Sequence, residues 1–210
     1  MAAQYGLMMG MMEPQAEMAG EFDDWYDLEH LPSRAEVAGF LTAHRLVCIE
    51  GWPRFVAMYD LETLDVLQTP AYQALTGKNV SPWSRRLVSQ AHGYFRTLGV
   101  QVYPGTALFG AKGLSSRVLV LRFNSPDEAA IPDIQSGLIA IFEGKPGTVQ
   151  VRLFRSEFGG LNYVAIVELR LPITIADMEV DKFGRGAKYL DLINVYVMYF
   201  RQGAMPPGAY

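Results

Sequence analysis

The sequence is poor in the residues that most often announce chemistry. It holds 1 cysteine, Cys48, in 210 residues, so no disulfide can close within the chain, which suits a reducing cytoplasm. It holds 3 histidines, His30, His44 and His92, with no H-x-H or H-x-x-x-H spacing, and so carries no local signature of a metal site. There is no long basic run and the formal net charge is −4, which argues against nucleic acid and anionic membrane surfaces as partners. A G-x-S-x-G element and a dinucleotide fingerprint are both missing. Gly105–Lys112 looks like a phosphate loop, but Ala111 separates Gly110 from Lys112 and Gly113 stands where Ser or Thr is needed. The apolar start, MAAQYGLMMGMM, has no Lys or Arg and runs into Glu13 and Pro14. It is too short to span a bilayer and lacks the charged head of a signal peptide, so Tyr5–Met12 is expected as a buried first strand.

What is present is a well-populated core. Hydrophobic residues make up 50% and charged residues 19%, the balance of a compact chain long enough for one large domain or two small ones. Gly39–Leu61 aligns without a gap on Gly147–Leu169. Gly39, Gly51, Val56, Ala57 and Leu61 meet Gly147, Gly159, Val164, Ala165 and Leu169, and Asp60 meets Glu168. Each segment reads as a β-hairpin around a glycine-containing turn.

The flanks extend the repeat. In the first half, a helix carrying Met18, Phe22, Trp25 and Tyr26 is expected after strand 1, stopping near Pro32. Helix starts are expected at Thr63, Thr69-Pro70 and Ser81-Pro82, and a strand over Tyr94–Tyr103. The second half offers a strand over Arg117–Asn124 and a helical stripe of Ile134, Leu138 and Ile141. After the hairpin come a helix around Ile175–Phe183 and a strand over Leu190–Arg201. Both halves read β-α-β-β-α-β.

The expected fold class is therefore α+β: two ferredoxin-like repeats whose antiparallel sheets pack bare face to bare face as an intrachain α/β barrel. The first repeat is placed at 1–104, a glycine-rich connector at 105–116, the second repeat at 117–202 and a loosely held tail at 203–210. One chain supplies both sheets, which leaves a homodimer through outer helices or strand edges open.

The stretch Glu21–Arg34, EFDDWYDLEHLPSR, is the densest in aromatic and ionisable groups. On a helix Trp25 neighbours Glu29, and Tyr26 neighbours His30, with Phe22 beneath both. Such an end could hold a small aromatic ligand, and His30 could exchange a proton near neutral pH. The competing reading makes Trp25 and Tyr26 core aromatics, Leu31-Pro32 a helix stop, and His30 a cation on the helix dipole.

The pattern D-W-Y-x-x-E-H-L-P-x-R, followed by Gly39-Phe40 and Arg45 on the next strand, resembles EthD-like proteins of the dimeric α/β-barrel superfamily. Asp60–Tyr72 and Ser81–Arg86 look like the same family. The resemblance covers nearly all the first half; in the second half it is one of fold. It implies a pocket with His30 as the histidine, Trp25 and Tyr26 as pocket or packing aromatics, and Arg45 as a strand arginine able to hold a carboxylate or enolate oxygen. Its alternative is an ion pair of Arg45 with Glu29, Asp27 or Asp60.

The expected function is a cofactor-independent enzyme acting on a small apolar, aromatic or polyketide-like molecule, with His30 as general acid/base. Trp25, Tyr26, His44, Arg45, Phe55 and Tyr59 complete the expected substrate-contacting set, the mouth lying between Trp25–His30 and the strand bearing His44 and Arg45. No cofactor is expected, although haem, which needs one axial histidine, stays open. The rival readings are a non-catalytic binding protein and an assembly protein with a vestigial pocket. Extending the gapless repeat puts Leu138 opposite His30, Ile134 opposite Tyr26 and Leu153 opposite Arg45, which favours a single pocket in the first half, or else reflects independent drift in a half that packs differently.

Overall fold

A computed structural model describes residues 4–200; Arg201 and the tail at 203–210 lie outside the described residues. Eight antiparallel strands close into one barrel in the order β1-β3-β2-β8-β5-β7-β6-β4. They are β1 (Gly6–Glu13), β2 (His44–Glu50), β3 (Phe55–Leu61), β4 (His92–Tyr103), β5 (Arg117–Asn124), β6 (Thr148–Ser156), β7 (Asn162–Leu169) and β8 (Leu190–Met198). Each half contributes one ferredoxin-like sheet, β4-β1-β3-β2 and β8-β5-β7-β6. They join where β2 meets β8, with Val47 opposite Val197, and where β4 meets β6, with Val100 opposite Arg155. Closure pairs every strand of the barrel on both sides, so these eight present no open edge.

Strand alternation divides the side chains between two environments. Leu7, Met9 and Met11 of β1 point into the barrel with Leu46, Val56, Met58, Val120, Ile166 and Tyr196. Met8 and Met12 point the other way, toward the first-half helices with Phe22, Trp25, Tyr26, Phe55 and Tyr59. A separate cluster of Ile134, Leu138, Phe142 and Phe183 covers the second sheet.

The barrel interior also holds charge. Fully buried Arg152 pairs with Asp60 at 2.7 Å and approaches Glu168 at 3.6 Å. Phe109 N donates to Asp60 Oδ2 at 2.6 Å, and Gly110 N donates to Glu168 Oε2 at 2.9 Å. The two carboxylates that align in the sequence repeat thus grip adjacent residues of the connector. Gln101 fixes the same loop, donating to Ala107 O and accepting from the Gly105 and Ala107 amides. The loop that looks like a phosphate cradle spends these amides on buried side chains.

Two expectations about helices change. The first helix does not stop at Pro32. Helix α1 (Ala19–Trp25) widens into a π-helical turn over Tyr26–His30 and continues as α2 (Leu31–Ala35). A proline lacks an N–H and crowds the carbonyl four residues back. Leu31 N instead reaches the Tyr26 carbonyl, five residues back, and the wider turn carries the helix past Pro32. In the second half, the helix expected around Ile175–Phe183 is replaced by 3-10 turns, Ile175–Asp177 and Val180–Tyr189, broken at Gly184, where φ is 52°. The remaining helices are α3 (Pro70–Gln73), α4 (Pro82–Gln90) and α5 (Ile131–Phe142). Thr69 and Ser81 cap α3 and α4 by accepting from the Tyr72 and Ser84 amides.

Candidate functional site

A cavity of about 440 Å³ lies between the first sheet and its helices. Its floor is Met8, Gly10 and Met12 of β1, Ala57 and Tyr59 of β3, and Arg96 of β4. Its walls are Tyr26, His30 and Arg34 on one side and Tyr72, Leu75, Val80, Ser84 and Arg85 on the other, with Tyr94 at the rim. It is placed on the helix side of the sheet and outside the barrel interior.

The π-helical turn sets the histidine. It brings His30 over Trp25, with ring centroids 4.1 Å apart, and edge-on to Tyr26 at 5.0 Å. Trp25 Nε1 donates to Ser84 Oγ at 2.8 Å, and Ser84 Oγ donates to Glu29 Oε1 at 2.8 Å. Ser81 Oγ donates to the same Glu29 oxygen at 2.5 Å. Glu29 therefore docks the start of α4, where the helix dipole favours an anion, and Trp25 is a buried strut behind the imidazole.

His30 Nδ1 is buried without a hydrogen-bond partner among the described residues. Burial pushes the His30 pKa well below its ordinary value, with further lowering from the Arg34 and Arg45 charges. His30 is thus neutral at pH 7, and the dipole-stabilised cation of the competing sequence reading does not apply: the helix runs on to Ala35 and the ring carries no charge. Tyr59 OH is also buried and without a partner among the described residues. Burial raises the pKa of Tyr59 and lifts that of Tyr26 to about 12, so both phenols remain protonated donors.

The expected residues fall into three groups. His30, Tyr26 and Tyr59 line the cavity. Trp25, Phe55 and Arg45 are buried around it without being part of its lining. Arg45 sits among the rings of Phe22, Tyr26, Phe55 and Tyr199, its guanidinium carbon 4.0–5.4 Å from their centroids. It pairs with Asp23 at 2.5 Å and Asp27 at 3.6 Å, so of the ion-pair partners expected from sequence Asp27 is one, while Glu29 and Asp60 are not. This knot fills the space between α1 and β2, which is why the cavity opens over β1, β3 and β4 instead of over the strand bearing His44 and Arg45. His44 stands alone in the third group. It faces the barrel interior, its ring 4.5 Å from Phe109, and burial lowers its pKa to about 4.

Sequence reasoning missed Arg34, Tyr72, Arg85 and Arg96. Arg96 Nη2 donates to Tyr72 OH at 2.7 Å, and Tyr72 OH donates to Met8 Sδ at 3.2 Å. Tyr72 and Arg96 lie 24 residues apart, and only the strand order brings them together. The one available signal was Arg96 itself, the one Arg, Lys, Asp or Glu in its strand.

No family model matches the chain, and no curated protein sequence matches it. Solved structures do resemble it. An anthrone oxidase-like protein superposes with a TM-score of 0.61 at 6% identity, over 94% of this chain and 92% of that chain. A haem-binding protein from Thermus thermophilus gives 0.55 at 10%, over 93% and 91%. A mutant chlorite dismutase from Candidatus Nitrospira defluvii, in complex with cyanide, gives 0.51 at 12%, over 95% and 92%. At these identities the likeness is one of fold, a duplicated ferredoxin-like barrel. The absence of a cofactor expected from sequence is corrected here, because this architecture includes a chain that binds haem. The residue types are compatible in kind: His30, a neutral imidazole, lines the cavity, and Arg34 and Arg96 offer cations for propionates. No helix among the described residues is long and apolar enough to cross a membrane.

Proposed function

We propose that the chain is a small-molecule enzyme whose first-half cavity binds a flat, oxygen-bearing aromatic or polyketide-like ring, and that His30 moves a proton on it. The observation that carries the reading is that His30 and Tyr59 line one cavity and each keeps a buried polar atom, Nδ1 and OH, without a partner among the described residues. Leaving such a group unsatisfied costs about 1–3 kcal/mol, a cost that a bound ligand with matching groups would offset. A neutral imidazole accepts a proton, here from the carbon beside a carbonyl or from a phenol, and a protonated Tyr59 donates to the oxyanion that develops. Isomerisation and cyclisation share that step; decarboxylation shares only the developing oxyanion, since the bond to departing CO2 breaks in place of a C–H bond. The EthD-like pattern across Asp24–Arg34 supports the same assignment, since it singles out the residue that lines the cavity.

The test is proton exchange in D2O with anthrone, a flat aryl ketone, followed by NMR at its methylene. Exchange accelerated by the protein and lowered about 100-fold or more in His30→Gln, with an unchanged melting temperature, is the expected result. Equal exchange in the variant refutes the role of His30. Saturable binding without exchange in the parent makes the protein a carrier.

A second reading rests on the same imidazole and the haem-binding fold neighbour. Haem, when bound, would supply redox chemistry; His30 would hold its iron and Arg34 and Arg96 would meet its carboxylates. A Soret band that develops on titration with haemin and is lost in His30→Ala favours this reading over the first.

A further inference from the structure

The cavity carries unbalanced positive charge. Arg34, Arg85 and Arg96 line it, and among the described residues its lining contains no carboxylate, in a chain whose formal net charge is −4. Elsewhere most of the described arginines find acids: Arg45, Arg54, Arg86, Arg122, Arg152, Arg155 and Arg185 each meet at least one, while Arg117 and Arg170 form no salt bridge among the described residues. The three cavity arginines form no salt bridge among the described residues, and their hydrogen bonds go to neutral acceptors. Arg34 donates to His30 O and Ser33 Oγ, Arg85 to Val80 O, and Arg96 to Tyr72 OH.

Arg96 and Tyr72 are the most constrained pair. Tyr72 is 4% exposed. Its hydroxyl takes a hydrogen bond from Arg96 and gives its own proton to Met8 Sδ at 3.2 Å, while a second contact from Arg96 reaches the same sulfur at 3.5 Å. A thioether is a weak acceptor, so one phenol proton and one guanidinium proton converge on an atom that uses neither well. Methionine is also the core side chain most able to move aside. Gly10, opposite Arg96 in the β1–β4 register, adds no side chain to the floor, and a Cβ built there meets no atom within 4 Å.

We infer that the ligand of this cavity is an aromatic carboxylate, whose carboxylate takes the two donors that Arg96 and Tyr72 now spend on Met8 while its ring lies over Gly10. The inference rests on the reading of this cavity as a binding site, but it does not need His30 to be a base. A guanidinium fork and a phenol hydroxyl match the two coplanar oxygens of a carboxylate. The remaining wall, Met12, Ala57, Leu75 and Val88, suits a hydrocarbon ring.

The test is calorimetric titration with benzoate, 1-naphthoate and 9-anthracenecarboxylate, each against its primary amide, at pH 8. Charge-assisted hydrogen bonds predict that at least one acid binds roughly 10- to 100-fold more tightly than its amide. In Arg96→Gln that preference should collapse to within about threefold with the amide affinity retained. Tyr72→Phe should lower it in part. His30→Gln should leave it intact, so proton exchange unchanged in that variant with retention of the acid preference would sink the His30 reading and spare this one. Should Arg96→Gln fail to fold, Arg96→Lys and Tyr72→Phe are read in its place, and both must weaken the preference. The inference is overturned if no acid in the set is preferred over its amide, or if the preference persists in the Arg96 and Tyr72 variants.

Discussion

Gly10→Val gives the cavity a direct physical test. Gly10 lies mid-strand in β1, opposite Ala57 on β3 and Arg96 on β4. Its φ is not in the left-handed region, and a Cβ there meets no heavy atom within 4 Å, so a side chain enters the cavity without backbone strain. Glycine inside a strand costs about 0.5–1 kcal/mol relative to alanine, and a β-branched residue adds a few tenths in favour of the strand. The variant should therefore be more stable by about 0.5–1.5 kcal/mol, a rise of roughly 1–6 °C in melting temperature for a chain of this length. Affinity should move the other way. A valine under the ligand ring imposes overpacking worth about 1–3 kcal/mol, or roughly 5- to 150-fold weaker binding of the aromatic acids. Gly6→Val is the control: its Cβ would lie 3.1 Å from Leu64 Cδ2 and 3.2 Å from Leu61 Cβ, so it should destabilise. Thermal melts and calorimetry read both quantities. A Gly10→Val protein that melts lower than the parent, or binds the acids equally well, would refute the placement of the cavity floor.

Arg152→Leu should be the most destabilising single change in the barrel, by about 3–5 kcal/mol in urea unfolding, because it leaves Asp60 and Glu168 buried without their cation; a variant as stable as the parent would show that the carboxylates are satisfied by the connector amides alone. Stability should also fall on acidification below about pH 6.5. His30 and His44 both have pKa values lowered by burial, so the unfolded chain takes up protons first; the stabilisation is complete above the unfolded pKa and is lost as pH drops toward the folded one, at up to about 1.4 kcal/mol per pH unit per histidine. His44→Gln should flatten the slope between about pH 6.5 and the folded value of about 4, and an unchanged slope would count against a buried neutral His44.

Much of the fold was legible because it was written twice. The gapless alignment of Gly39–Leu61 on Gly147–Leu169 predicted two hairpins, and the structure places β2–β3 and β6–β7 there. The apolar run Tyr5–Met12 was read as a buried strand, and β1 is buried on both faces, one toward the barrel interior and one toward the helices. What the repeat could not show is where the halves differ. The π-helical turn before Pro32 and the 3-10 turns after Ile175 depend on local competition between backbone bonds and packing, and helical periodicity is blind to both.

The candidate site divides in the same way. The stretch Asp24–Arg34 singled out His30, and Tyr26 and Tyr59 were both read as pocket residues. His44 and Arg45 were both expected to contact substrate, yet neither lines the cavity; adjacent strand residues face opposite sides, and either side was apolar enough to be the pocket. By itself the sequence determined which segments form strands, that the chain is a duplication, and that the polar stretch belongs to one half, because these depend on local pattern and on comparison of the chain with itself. The tertiary structure alone decided that Arg45 seals a helix to β2 and that His44 enters the barrel. It alone brought Tyr72 and Arg96 onto one cavity with His30, because contacts between distant residues are fixed by strand order and closure, which no local pattern encodes.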